Sequence, residues 1–271
     1  MSVKLSEIIK VMEKFAPSKY KEDYDNVGLM VGDINAEITS VLVTLDSTLQ
    51  VIEEAKEKNC ELILSHHPLL FRKPNSITEE TLLGRKIRMA VKNNINIYAS
   101  HTNLDVVEGG INDLLVRLLG FDRGLVMEES PMASDKGKEG IGRLIELEKP
   151  ISLDDLCKKI KNDLALSYLR YSGEGNWPVT KIAIINGSGQ DYFSLAKKLG
   201  ADCIISGDTS YHYVSDLYEE AVAVIDAGHF ATEWPALKLF AENFKQLLQD
   251  EKIDITVKVS EKNFDPYKIL V

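Results

Sequence analysis

The stretch VLVTLDSTLQVIEEAKEKNCELILSHHP, residues 41–68, reads as strand, helix and strand, and ends in two adjacent histidines and a proline. VLVTL (41–45) is a short apolar run rich in β-branched residues, and ELILS (61–65) is a second. Between them, Leu49–Lys58 carries helical periodicity. Working downstream, a further helical stretch near Leu82–Lys92 leads to INIYAS (95–100). Strand alternating with helix in this way predicts a parallel sheet with crossover helices. Upstream, residues 1–16 place Leu5, Ile8, Ile9, Met12 and Phe15 at helical spacing between Lys and Glu. That pattern predicts an amphipathic surface helix, because a signal peptide needs a continuous apolar run and a small-residue cleavage site.

The same unit recurs later. KIAIING (181–187) precedes a helical stretch near Tyr192–Leu199, then DCIISG (202–207), a helical stretch near Val214–Glu220, and AVAVIDAG (221–228). Thr44 to Ser65 is 21 positions, and so is Ile185 to Ser206, which offsets the two series by 206 − 65 = 141. Each third strand ends in a histidine followed four residues later by an acid: His101 with Asp105, and His229 with Glu233. This repetition predicts an internal duplication, with halves at 1–130 and 131–271 and a site between them. MASDKGKEG (132–140) is the candidate linker.

Composition narrows the class of function. The 271 residues hold 32 Lys+Arg against 42 Asp+Glu, a net charge of −10, with 44% hydrophobic residues. An ordinary core is within reach. The basic footprint of a general nucleic-acid or anionic-membrane binder is missing. No stretch approaches the roughly 18–20 apolar residues of a membrane helix. Cys60, Cys157 and Cys203 are far apart, form no CxxC pair, and read as buried, reduced thiols. A cytoplasmic protein is expected.

All five histidines fall just past predicted strand ends: His66 and His67 in LILSHHPLLF (62–71), His101 in YASHTNLD (98–105), His212 in SGDTSYH (206–212) and His229 in DAGHFATEW (226–234). Ligand sites in open α/β sheets form at the carboxyl ends of parallel strands. A strand turning into a proline-fixed loop can aim both imidazoles of the HH pair at one cavity. His229 and Glu233 share a face of a helical turn, as do His101 and Asp105. Imidazoles and carboxylates without a nearby thiolate suit zinc, iron, manganese, nickel or cobalt. Six candidate ligands exceed the about three or four that one ion uses, so two divalent ions per chain are expected. Their charge would lower the pKa of a shared water and attract an anionic substrate. Asn186-Gly187-Ser188-Gly189 could cradle a phosphate through its amides, although a short glycine turn does the same topological work. Asp208 and His212 are candidates for orienting ligands or transferring protons. Tyr24–Gly28 reads as a tight turn that could pack under the site.

These motifs, with DNVGLMVG (25–32) and GGIND (109–113), resemble the GTP cyclohydrolase type 2 homologue family, also called the NGG-interacting-factor-three-like family. The resemblance runs in order from about Tyr24 to Trp234. It implies two similar, intertwined three-layer α/β/α units and a dinuclear metal centre. The implied ligands are His66, His67, Asp105, His229 and Glu233, with His101 lining the site as an optional extra ligand. It also implies a homo-oligomer, often a toroidal hexamer. Longer members insert a domain between the halves, where this chain has only residues 126–140. Tyr24, Ser65 and Thr209-Ser210 depart from the common pattern, and none of them is an implied ligand.

The expected function is a metal-dependent hydrolase acting on a nucleotide or other phosphorylated or anionic small molecule. Activated water would attack carbon or phosphorus, with His101, or His212 with Asp208, moving protons. A GTP cyclohydrolase-like reaction follows from the family name alone, and fold and metal site do not fix a reaction. Two rivals stand beside it: a non-enzymatic metal-handling or regulatory protein, and a protein-interaction role.

Overall fold

The computed structural model describes residues 2–122, 124–134 and 137–270. The chain divides into two compact units, Met1–Leu104 with Leu237–Val271, and Asp105–Ala236. The first comprises β1 (Val3–Lys4), α1 (Leu5–Phe15), β2 (Gly28–Val31), β3 (Glu37–Ile38), β4 (Ser40–Thr44), α2 (Leu49–Glu57), β5 (Leu62–Ser65), α3 (Leu82–Lys92) and β6 (Asn96–Ala99). The short helix α4 (Thr102–Val106) crosses the boundary. The second holds α5 (Ile111–Leu118), β7 (Leu125–Glu129), β8 (Gly140–Ser152), α6 (Leu153–Asp163), β9 (Arg170–Ser172), β10 (Pro178–Ser188), α7 (Phe193–Lys198), β11 (Cys203–Gly207), α8 (Tyr211–Glu219) and β12 (Ala223–Asp226). Helix α9 (His229–Asp250) begins in the second unit and ends in the first, which β13 (Thr256–Val259) completes.

In the first unit the sheet order is β13-β4-β5-β6-β2, parallel except for β2. Every residue of β4, β5 and β6 is buried, as expected of parallel strands covered on both faces. Leu42, Ile63 and Ile97 pack with Val51 and Ile52 of α2 and Ile87 of α3. On the opposite face Tyr98 reaches Glu13 of α1, so helices lie on both sides. The Thr48 and Thr81 hydroxyls cap α2 and α3 by accepting from the Val51 and Gly84 amides.

The second unit has the order β7-β8-β10-β11-β12-β9, with a parallel centre β10-β11-β12 and antiparallel flanks. Its sheet is mixed, and the parallel centre is the part that the repeat predicted. Ile182, Ile184, Ile205 and Ile225 pack with Leu115 of α5 and with Leu156 and Ile160 of α6. Ala183, Ile204 and Val224 on the other face are equally buried, and α7 and α8 bury Phe193, Ala196 and Leu217.

The duplicated register is visible in the pairings. Thr44 pairs with Ser65 and Ile184 with Ile205, each 21 positions apart (65 − 44 and 205 − 184). Past Ile184 the second unit bulges, so that Ser188 pairs with Gly207. The compact units divide at Leu104/Asp105, and residues from Leu237 onward return to the first unit. The cause is long-range pairing. β13 adds in parallel to β4, Lys58 and the Ser260 hydroxyl satisfy the buried Glu54 carboxylate, and the Asn263 side chain accepts from the Leu45 and Asp46 amides. The expected linker connects β7 to β8 as an antiparallel pair within the second unit. Asp135 and Lys136 of that linker lie outside the described residues.

Candidate metal centre

His66 and His67 follow β5 directly, and His101 follows β6 by two residues. Their ligand nitrogens lie within 4.8 Å of one another, and their ring centroids are 5.1 to 5.6 Å apart. Each ring is held through Nδ1. His66 Nδ1 lies 3.0 Å from the Ser100 carbonyl, His67 Nδ1 lies 2.9 Å from Asp46, and His101 Nδ1 lies 2.9 Å from Asp25. Carbonyl and carboxylate oxygens only accept, so Nδ1–H donates and the Nε2 lone pair becomes the ligand atom. Burial of Asp25 opposes its ionisation. Hydrogen bonds and charge from His101, with the Thr102 hydroxyl and amide, overcome that and hold its carboxyl at about 2. Sequence reading singled out neither Asp25 nor Asp46 as an orienting group.

The second unit presents a different set. His229 opens α9, with Nδ1 donating to Asp208 at 2.7 Å and Nε2 at 3.0 Å from Glu233. Asp105 and Glu233 are 7% and 3% exposed. The single Asn186 amide donates to both, at 2.9 and 3.2 Å. Asn112 braces this arrangement by accepting from the Asn186 backbone N–H and donating to the Asp105 carbonyl. Asp208 sits at φ +50°, in the left-handed region that Asp tolerates better than most residues.

Glycines leave room for these carboxylates. A Cβ on Gly187, at φ +59°, would lie 2.1 Å from Glu233 Oε1, and one on Gly207 would lie 2.5 Å from the His229 backbone nitrogen. The phosphate-cradle expectation for Asn186–Gly189 meets a competing use. The amides of Asn186, Gly187 and Gly189 donate to Asn112, Thr232 and Ser206 side chains within the protein. His212 is exposed on α8 with its ring against Tyr211, and among the described residues it makes no hydrogen bond. The structure joins Asp208 to His229, and among the described residues His212 hydrogen-bonds to neither.

The donor chemistry fits a divalent transition ion: fixed imidazoles, buried carboxylates and no thiolate. Cys60, Cys157 and Cys203 are buried and free, and burial pushes the Cys157 thiol up to about 11.

The model of the family described as Duf34/NIF3 (NGG1p interacting factor 3) matches residues 3–266. The chain belongs to the Duf34/NIF3 family. Among its NIF3 relatives, a Clostridium perfringens protein is 51% identical over 268 residues, covering 99% of this chain and 100% of that one. A Clostridium acetobutylicum protein is 49% identical, covering 99% of each. Both are named "GTP cyclohydrolase 1 type 2 homolog". The solved structure of Staphylococcus aureus hypothetical protein SA1388 superposes with a TM-score of 0.90 at 30% identity, over 98% of this chain and 99% of that one. Among the described residues, no helix is long and apolar enough to cross a membrane.

Proposed function

We propose that this NIF3 protein is a metal-dependent hydrolase. Its metal ligands are His66, His67 and His101 from the first unit and Asp105, His229 and Glu233 from the second. The observation that carries the reading is the trio of imidazoles whose ligand nitrogens lie within 4.8 Å of one another while oxygen acceptors hold each Nδ1. Such a set is pre-oriented for a cation, and acceptors of this kind commonly fix metal-bound histidines. Three imidazoles are enough for about one ion with an open position. The carboxylate-rich set supports a second, so two divalent ions per chain are part of the reading.

Ions bound there supply Lewis acidity and a lowered water pKa. The chain's own residues do the rest. Asp25, Asp46, Asp208 and the Ser100 carbonyl fix ring orientation, and Asn186 aims the two buried carboxylates. His101 is held at the centre by Asp25, whereas His212 is exposed on α8. A nucleotide or other anionic small molecule is the substrate class that positive charge at the centre favours. Opening of a guanine ring is suggested by the relatives' names. A cytoplasmic homohexamer completes the reading.

The test is turnover of metal-loaded protein against a panel of nucleotides and phosphoesters. Glu233→Gln should lower kcat by about 100-fold or more while the melting temperature holds. Loss of stability or assembly in Glu233→Gln, with no turnover by the parent protein, would favour a structural or metal-storage role instead.

A further inference from the structure

Beside His67, within the first unit, lies a cavity of about 300 Å³ lined by Asp46, Ser47, His67, Leu69, Leu82 and Lys86 among others. Its volume is at the small end of ligand-binding sites. Among the described lining residues Lys86 is the one lysine or arginine, and its side chain is partly buried. The carboxylate of Asp46 acts on it, and that carboxylate already accepts from His67. Burial pushes the Lys86 ammonium below its usual range, against the weaker pull of Asp46. A desolvated ammonium gains from an oxyanion brought into contact with it. A second, separate feature points the same way. Ser47 is 4% exposed, and among the described residues its hydroxyl has no hydrogen-bond partner. A buried unsatisfied hydroxyl is costly, and a small side-chain rotation would let a group in the cavity satisfy it. The leucines make the remaining wall apolar.

We infer that this cavity is the substrate-anchoring pocket of the proposed centre, in which Lys86 and Ser47 bind an oxyanionic group. The rest of a small substrate then extends along the leucine wall toward His67. The inference rests on the metal-centre reading for which group reacts, but the anion site has its own test. Neither Lys86 nor Ser47 is among the proposed metal ligands, so anion binding and metal binding are separable by substitution.

The experiment is calorimetric titration of the full chain, metal-free and manganese-loaded, with inorganic phosphate and separately with acetate. Lys86→Met, Lys86→Arg and Ser47→Ala are run beside the parent protein. Loss of one charge-assisted contact corresponds to about tenfold or more in affinity for Lys86→Met, with Lys86→Arg largely retaining binding. Ser47→Ala should weaken binding by a smaller factor. Preference for phosphate over acetate identifies a phosphoryl anchor, and the reverse a carboxylate. Equal affinity in the parent and Lys86→Met, or no binding of either anion by the parent, overturns the inference. Metal stoichiometry from the same samples judges the metal centre independently.

Discussion

The two units share a framework and decorate it differently. At the end of the second repeated strand the first unit has Ser65-His66-His67, and 141 positions on the second has Ser206-Gly207-Asp208. At the end of the first repeated strand the pair is Leu45-Asp46 against Asn186-Gly187. In one unit, carboxylates orient imidazoles. In the other, a carboxylate orients a single imidazole while an amide orients two buried carboxylates. Where His66 projects a ring, Gly207 is packed so closely on the His229 backbone that a Cβ would force that backbone to shift. The repeated register gives two comparable strand ends. The strand ends carry different side chains: oriented imidazoles in the first unit, and two buried carboxylates with one imidazole in the second.

This contrast can be broken at its orienting residues. Asp46→Asn in the first unit and Asn186→Ala in the second should each lower metal affinity by about 10–100-fold, read by competition with a chelating dye. An effect confined to one unit would mean that only that unit's donors matter. A smaller effect follows from acid. The Asp25 carboxyl is held at about 2 in the folded chain against an ordinary 3.8. A depressed carboxylate contributes stability that is present above the unfolded value and is lost as pH falls from there toward the folded one. Metal-free protein should therefore lose about 2 kcal/mol between roughly pH 5 and pH 2 through this group. Urea unfolding across that range should show the loss largely absent in Asp25→Asn. Smallest is Gly207→Ala, expected to cost about 1–2 kcal/mol by thermal unfolding as the α9 start shifts. An unchanged melting temperature would show that the glycine is incidental to the second unit's platform.

Much of this molecule was legible in its sequence. Fully buried parallel strands announce themselves as continuous apolar runs, which located β4, β5, β6, β10, β11 and β12, and the 21-residue spacing foretold the shared register. The histidines and acids were visible because they follow those strands directly. What stayed hidden was set by contacts distant in sequence. Asp25 is 76 positions from His101 and Asp46 is 21 from His67, so neither pairing has a local signal. The return of residues from Leu237 onward to the first unit has no local signal, because β13 joins β4 from the far end of the chain. Asn186 was read as part of a glycine turn, since nothing local reveals that its amide turns toward Asp105 and Glu233. His212 shares a motif with Asp208, yet the first turn of α8 carries it out to solvent.

The central claim is that the two decorated platforms serve bound divalent ions. The most direct measurement is elemental analysis of the purified full chain beside His66→Ala and Glu233→Gln, one ligand removed from each unit. The account predicts about two divalent ions per chain in the parent and a clear loss in each variant, with the fold intact by circular dichroism. Fewer than about one ion per chain in the parent, or full metal content in both variants, would contradict it.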